Sequence, residues 1–189
     1  MKLREAVEAL ADAKANIPDA ISVVTMQAGR PWAESGGSEV LNLNVVGCMG
    51  SASTWALGIA LAQPDKPVLV LDGDGSLLMQ LGSLVTIGAQ APPRFYHFVF
   101  ENGAYGTSGN QLMPGSSHDF CGLAMSAGYK AAFSFEDAGE LRKELPRVLA
   151  TTGPVLIRLA TDIEHTELSG RGTPDTANQV ARLKAALAS

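Results

Sequence analysis

The chain has 189 residues, of which 46% are hydrophobic and 17% charged, so it can bury a core without disulfide or metal crosslinks. Its net charge of −5 gives no basic excess for nucleic acid or an anionic membrane surface, no apolar run could span a bilayer, and its two cysteines and three histidines lack zinc spacing. We expect one cytoplasmic domain over residues 1–189, and the low charged fraction predicts that another chain covers part of its surface.

Helices and strands alternate along the first half of the chain. An amphipathic helix over residues 2–15 is followed by a short strand, a loop over residues 27–38 and a second strand. A small, apolar segment then predicts a closely packed helix, and two apolar runs predict strands buried on both faces, with a helix between them. After residue 20 the predicted elements are Ile21–Val24, Val40–Val46, Ser51–Ala62, Val68–Leu71, Ser76–Ala89 and Phe95–Phe100.

The second half continues the alternation with a short helix, a strand, a longer helix, a last strand and a terminal helix. Ser134 could cap the longer helix, and Pro146 predicts a break in it. These elements are Asp119–Ala127, Ala131–Phe133, Ser134–Leu149, Pro154–Leu159 and Thr173–Ser189. The whole pattern predicts an α/β fold with a mostly parallel sheet, helices on both faces, and ligand loops at the carboxyl ends of the strands.

The strongest local signal is LDGDGS at residues 71–76, which follows a buried strand and opens a helix. Gly73 and Gly75 let the backbone approach an anionic group, and a helix amino terminus supplies free N–H groups, so phosphate binding is indicated. Asp74 adds a negative charge at the same place, and a diphosphate there therefore requires a divalent cation. A tight Asp-Gly turn without a ligand explains the hexapeptide equally well.

A second loop, ENGAYG at residues 101–106, follows the next buried strand. Because adjacent parallel strands end at the same edge of a sheet, this loop should begin beside Asp74. Asn102 and the glycine-rich backbone offer neutral oxygen atoms, which are the ligands that magnesium prefers. The two loops together favour a metal-bridged phosphate site.

These segments resemble the thiamine diphosphate motif of the decarboxylase and acetolactate synthase superfamily. In this sequence 26 residues separate Gly75 from Asn102, and GCMG at residues 47–50 lies where that family grips the aminopyrimidine of the cofactor. Residues 45–125 are similar to the beta subunits of sulfopyruvate decarboxylases and to phosphonopyruvate decarboxylases. The resemblance implies a diphosphate-binding domain of the thiamine-diphosphate-binding fold, thiamine diphosphate and Mg²⁺ as cofactors, and a small anionic 2-oxo acid as substrate.

The resemblance also implies roles for individual residues. Asp74 and Asn102 would bind magnesium through their side chains, and Ala104 through its carbonyl. Met49 would hold the cofactor in a bent shape, and the Gly47 carbonyl would accept a hydrogen bond from its 4′-amino group. Further cofactor-binding residues would be Gly73, Gly75, Ser76, Tyr105 and Gly106.

Two features depart from the family pattern. Many relatives have a second asparagine where this chain has Glu101, a position that does not bind the metal. The loop over residues 27–38 carries no substrate signature.

His118, near the second loop, is interpreted as a solvated histidine rather than a catalytic one.

The family activates thiamine with a glutamate on a pyrimidine-binding domain, and no segment here corresponds to that domain. We therefore expect a hetero-oligomer in which a pyrimidine-binding alpha subunit supplies the glutamate, and we assign no catalytic residue to this chain. The alternatives are carbon–carbon ligation, as in acetolactate synthase, and a non-catalytic, cofactor-binding regulatory subunit. A 2-oxo acid:ferredoxin oxidoreductase subunit is disfavoured by Ser76 and by the small number of cysteines.

Overall fold

A computed structural model of the protein describes residues 1–37, 40–114, 118–164 and 175–188. The helices are α1 (Leu3–Ala15), α2 (Met26–Glu34), α3 (Ala52–Ala62), α4 (Asp74–Met79), α5 (Ser83–Gln90), α6 (Phe120–Ser126), α7 (Ala138–Ala150) and α8 (Thr176–Leu187). The strands are β1 (Ile21–Thr25), β2 (Asn42–Val45), β3 (Val68–Gly73), β4 (Phe95–Glu101), β5 (Ala104–Tyr105), β6 (Gln111–Leu112), β7 (Ala131–Phe135) and β8 (Val155–Ala160).

Six of the strands form a sheet in the order β2-β1-β3-β4-β8-β7, and every pair in it is parallel. The remaining two strands, β5 and β6, form a small antiparallel hairpin after β4. The strands β1, β3 and β4 are adjacent near the middle of the sheet, so the turns that follow them meet at one edge. The predicted α/β class with a parallel sheet is confirmed.

Both faces of the sheet are covered by helices. On β3, Leu69 and Leu71 pack into a core with α1, α2 and α7, whereas Val68 and Val70 pack into the opposite core with α3, α4, α5, α6 and α8. This alternation explains why the strand is apolar at every position and could be recognised in the sequence.

The prediction of a loop over residues 27–38 is wrong for its first part, because α2 extends to Glu34. Trp32 is fully buried, and its indole N–H donates to the side-chain oxygen of Asn42 at 3.0 Å. A Cβ atom on Gly37 would lie 2.3 Å from the indole ring. Burial of the tryptophan therefore outweighs the local helix-breaking signals of Gly29 and Pro31.

Two further helix predictions need correction. The single helix predicted over Ser76–Ala89 is divided into α4 and α5 by residues 80–82. The helix predicted from Ser134 instead begins after Asp137, whose carboxylate accepts a hydrogen bond from the Glu140 amide at 2.9 Å. It also continues through Pro146 without a break.

The predicted terminal helix over Thr173–Ser189 is present as α8, although residues 173, 174 and 189 lie outside the described part. Across the described residues, every helix is too short or too polar to cross a membrane.

Candidate functional site

A pocket opens at the edge of the sheet where β1, β3 and β4 end. Parallel pairing places Gly73 at the end of β3 beside Phe100 near the end of β4, so the turns after the two strands face each other. Eight residues selected from the sequence line this pocket, namely Met49, Gly73, Asp74, Gly75, Ser76, Asn102, Ala104 and Tyr105. Gly47 and Gly106 do not belong to its lining.

The carboxylate of Asp74 is the most constrained polar group of the pocket. Its Oδ2 atom accepts hydrogen bonds from the amides of Asn102 and Gly103 at 2.9 and 2.8 Å, and its Oδ1 atom accepts one from Gly75 at 2.7 Å. Only 3% of Asp74 is exposed. Burial raises the pKa of this carboxyl, while the three amides oppose that rise.

The loop after β4 folds back on itself beside Asp74. The Oδ1 atom of Asn102 accepts from the Ala104 amide at 2.9 Å, and its Nδ2 atom donates to Gln27 at 3.2 Å. The carbonyl of Ala104 accepts from the Gly106 amide at 3.0 Å. These contacts bring a carboxylate, an amide oxygen and a carbonyl oxygen to one wall of the pocket.

This donor set fits a hard divalent cation. The candidate ligands are all oxygen atoms, as magnesium prefers. Within the described residues no lysine, arginine or histidine forms an ion pair with Asp74, and the hydrogen-bond donors to its carboxylate are backbone amides. A Cβ atom on Gly73 would meet no heavy atom within 4 Å, so there is open space beside this residue of the turn.

The segment GCMG reaches the pocket through one specific contact. Ser76, in α4, accepts a hydrogen bond from the Gly50 amide at 3.0 Å, and Gly50 has a φ of +87°. That left-handed conformation favours glycine. The contact holds Met49, which is partly buried, against the pocket, whereas Gly47 is exposed with a φ of +77°.

Two glycines of the site are explained by close packing. A Cβ atom on Gly75 would lie 2.6 Å from the ring of Tyr105. A Cβ atom on Gly106 would lie 1.8 Å from the side chain of Gln27. The glycines thus let the turn after β3, the β5–β6 hairpin and the start of α2 approach one another.

Glu101, where the sequence departs from the family pattern, pairs with a neighbouring strand, and after burial its negative charge also contributes to the raised pKa of Asp74. Its carboxylate forms an ion pair with Arg158 of β8, and that guanidinium also donates to Ser134 at 2.9 Å. The ion pair is largely shielded from solvent, with 13% of the Glu101 side chain and 26% of the Arg158 side chain exposed. The substitution therefore leaves the pocket's oxygen ligands in place.

Several pocket residues were missed in the sequence. Gln27 lies on α2, within the segment that was predicted to be a loop, and Asp72 lies on β3 just before the selected turn. Asp162 and Glu164 reach the pocket after β8, where Lys2 pairs with Asp162 at 3.1 Å and the Leu3 amide donates to Glu164 at 3.3 Å. The available signal was their position at the ends of strands near the middle of the sheet.

The other candidates lie elsewhere. His118 is partly buried, its ring contacts Phe120 with centroids 5.7 Å apart, and it does not line the pocket. Cys48 is exposed. His165 lies outside the described residues.

An all-parallel sheet with an acidic, glycine-rich turn at the carboxyl end of a central strand is typical of α/β proteins that bind phosphorylated ligands. The turn of residues 71–76 and the loop of residues 101–106 beside it are the features that distinguish this chain within that class. Residues 20–159 match the family "Thiamine pyrophosphate enzyme, C-terminal TPP binding domain", and the chain belongs to this family.

Two curated relatives of the chain are named as decarboxylases. The chain is 45% identical over 139 residues to a phosphonopyruvate decarboxylase of Streptomyces viridochromogenes, a match that covers 73% of the chain and 34% of that protein. It is 39% identical over 111 residues to the sulfopyruvate decarboxylase subunit beta of Methanothermobacter thermautotrophicus, covering 59% of the chain and 57% of the relative. The match thus spans about a third of the first relative and just over half of the second.

A solved structure has the same fold. It is that of a Mycobacterium smegmatis protein assigned to the thiamin diphosphate-dependent enzymes, with a TM-score of 0.72 and 22% identity. The match covers 87% of this chain and 32% of that protein.

Proposed function

We propose that the chain is the diphosphate-binding component of a thiamine diphosphate-dependent 2-oxo acid decarboxylase. The observation that carries this proposal is the buried carboxylate of Asp74, whose hydrogen-bond partners among the described residues are backbone amides and which lines one pocket together with Asn102 and Ala104. The names of the relatives support a small anionic 2-oxo acid as substrate, such as sulfopyruvate or phosphonopyruvate.

In this proposal the cation is Mg²⁺, held by the side chains of Asp74 and Asn102 and by the Ala104 carbonyl. The turn of Gly73, Gly75 and Ser76 binds the diphosphate, and Tyr105 and Gly106 close the site from the hairpin side. Their placement around one pocket, or packed against it in the case of Gly106, supports these roles. When bound, thiamine diphosphate supplies the thiazolium that accepts the electrons released with carbon dioxide.

Met49 supports the shape of the cofactor in this proposal, and the Gly47 carbonyl accepts a hydrogen bond from the aminopyrimidine. The hydrogen bond between Gly50 and Ser76 supports both roles, because it ties the loop of residues 47–50 to the diphosphate turn. One loop thereby sets the distance between the two ends of the cofactor site.

We further propose that the domain of residues 1–189 works with a pyrimidine-binding alpha subunit in a cytoplasmic hetero-oligomer. Three relatives are named as subunit beta of a sulfopyruvate decarboxylase, which supports a separate partner. Large apolar side chains lie exposed on the surface, including Trp55 at 45%, Val85 at 61% and Leu112 at 75%. Covering such side chains favours association. The partner supplies the glutamate that activates thiamine.

The test combines binding and turnover. The chain alone should bind thiamine diphosphate in a magnesium-dependent manner in isothermal titration, yet release no carbon dioxide from sulfopyruvate, phosphonopyruvate or pyruvate. Adding a candidate alpha subunit should produce turnover. Carbon dioxide release by the chain alone at about one per second or faster would contradict the shared site.

Product analysis separates the alternatives. An aldehyde product supports decarboxylation, whereas a longer hydroxy-oxo acid formed with an added acceptor supports carbon–carbon ligation. Cofactor binding without turnover alongside any alpha subunit supports the regulatory alternative.

A further inference from the structure

Directly behind the turn after β3 lies a buried chain of polar side chains that the proposed cofactor site does not use. The Nε2 atom of His97, in β4, lies 3.3 Å from Oδ2 of Asp72, in β3, and its Nδ1 atom lies 3.2 Å from the hydroxyl of Tyr129. Asp72 is 1% exposed, His97 0% and Tyr129 3%. Polar groups buried to this extent cost free energy unless they are hydrogen-bonded, so their arrangement needs an explanation.

The donors and acceptors fit in one direction only. Among the described residues the acceptor within reach of the Tyr129 hydroxyl is Nδ1 of His97, so the hydroxyl satisfies its own proton by donating to that atom. The neutral imidazole then carries its proton on Nε2 and donates to Asp72. A protonated imidazole would donate to Tyr129 and leave the hydroxyl proton without an acceptor. Burial and the Asp72 charge raise the pKa of Tyr129, which keeps it a donor.

This series of buried hydrogen bonds ends at the backbone of the turn after β3. Oδ1 of Asp72 accepts a hydrogen bond from the Gly73 amide at 2.9 Å. Gly73 is the residue that precedes α4, and it has no side chain to pack. Its orientation therefore depends on backbone hydrogen bonds, and it is joined directly to Asp74.

Tyr129, at the far end of this hydrogen-bonded series, is fixed by packing between helices. The Tyr129 amide donates to the carbonyl of Ala124 in α6 at 3.0 Å. Gly88 in α5 approaches so closely that a Cβ atom on it would lie 1.9 Å from the Ala127 carbonyl oxygen. Tyr129 is thus held in place by two helices and can act as a fixed end of the chain.

We propose that Asp72, His97 and Tyr129 are positioning residues, which fix the Gly73–Asp74 turn so that the Asp74 carboxylate is oriented toward the cation. This inference rests on the proposed cofactor site. It predicts that a change at Tyr129 weakens cofactor binding, although the Tyr129 hydroxyl contacts His97 and does not line the pocket.

The experiment compares two buried tyrosines. Tyr129→Phe removes one oxygen from the chain, and Asp72→Asn removes the charge at its other end. Tyr96→Phe is the matched control, because Tyr96 is 4% exposed and its hydroxyl donates to the Leu149 carbonyl at 2.6 Å, away from the pocket. Magnesium-dependent binding of thiamine diphosphate is measured by isothermal titration on the full chain, and the fold is checked by thermal unfolding.

We expect Asp72→Asn to bind about tenfold and Tyr129→Phe about threefold more weakly than the parent, whereas Tyr96→Phe loses stability only. Nitrogen NMR of the parent should find His97 protonated on Nε2 and not on Nδ1. Should Asp72→Asn fail to fold, Tyr129→Phe decides. A folded Tyr129→Phe variant that binds as tightly as Tyr96→Phe overturns the positioning role alone, whereas a parent chain without magnesium-dependent binding overturns the cofactor site and this inference together.

Discussion

Two carboxylates two residues apart, Asp72 and Asp74, are both buried but lie in different surroundings. Both residues line the pocket, but the Asp72 carboxylate contacts a histidine side chain and one amide, whereas the Asp74 carboxylate accepts hydrogen bonds from three amides. Asp72 is therefore tied to the buried interior through a side chain of β4, while Asp74 is held by the backbone of the loops that surround the pocket.

This difference separates a structural carboxylate from a binding one. A buried charge is tolerated when the fold supplies partners, as it does for Asp72. Burial makes a charge on Asp74 unfavourable, and a bound cation would offset that cost. In the proposed function the same six-residue segment therefore contains a support and a ligand.

The largest expected effect is on cofactor binding by Asp74→Ala. Removing the carboxylate should weaken magnesium-dependent binding of thiamine diphosphate by at least about 100-fold, or roughly 2.7 kcal/mol, because the diphosphate loses its charge-neutralising bridge. Isothermal titration with and without magnesium measures this. Asp137→Ala, which removes a helix-capping carboxylate after the outermost strand β7, two strands away from β4, is the control and should bind like the parent. Equal affinity of the parent with and without magnesium would overturn the metal assignment.

For stability we expect the opposite order, with a larger loss for substitution of Asp72 than for substitution of Asp74. Asp72→Ala should lower the free energy of unfolding by about 2 kcal/mol, because it leaves the His97 ring and the Gly73 amide without their buried partner. Asp74→Ala should cost less, since Asn102 and Gly103 are partly exposed and water can reach their amides. Urea unfolding of the cofactor-free chain measures both variants. Equal losses would mean that the two carboxylates play the same structural role.

Met49→Ala extends the comparison to the part of the pocket that carries no charge. The variant should retain cofactor but lower turnover in the presence of the alpha subunit by roughly tenfold, about 1.4 kcal/mol, because the side chain shapes the cofactor and contacts no phosphate. Steady-state rates and the circular dichroism of the bound cofactor report this. Met125→Ala, at a residue 48% exposed and outside the pocket, should leave the rate unchanged. A fully active Met49 variant would show that this residue only packs.

The smallest effect is a pH dependence that follows from the raised pKa of Asp74. Because burial raises its pKa, the folded chain holds a proton in a pH range where the unfolded chain has lost it. Stability of the cation-free chain should therefore fall as pH rises through this raised pKa, while magnesium-dependent binding strengthens over the same range. Titration calorimetry in buffers of different ionisation enthalpy should detect proton release on binding. Binding that is independent of pH from about 4 to 7 would contradict the shift.

The sequence by itself determined most of the strands and the parallel α/β class. It also determined that the loops of residues 71–76 and 101–106 lie side by side at the carboxyl ends of their strands. Strands buried on both faces leave continuous apolar runs, and glycine beside aspartate directly after such a run is a local signal, so Asp74 and Asn102 could be selected without coordinates. These features depend on neighbours in the chain.

Only the tertiary structure decided the remaining features, because they depend on residues far apart in sequence. Burial of Trp32 against Asn42 made α2 a helix despite Gly29 and Pro31, and this placed Gln27 at the pocket. The ion pair with Arg158 explained Glu101. From the sequence alone, His97 is likewise interpreted as a packed residue of a strand. Its role behind the turn emerges when β3, β4 and the segment after α6 bring Asp72 and Tyr129 to its two ring nitrogens, since hydrogen-bond geometry across a sheet is set by strand order and register rather than by local sequence.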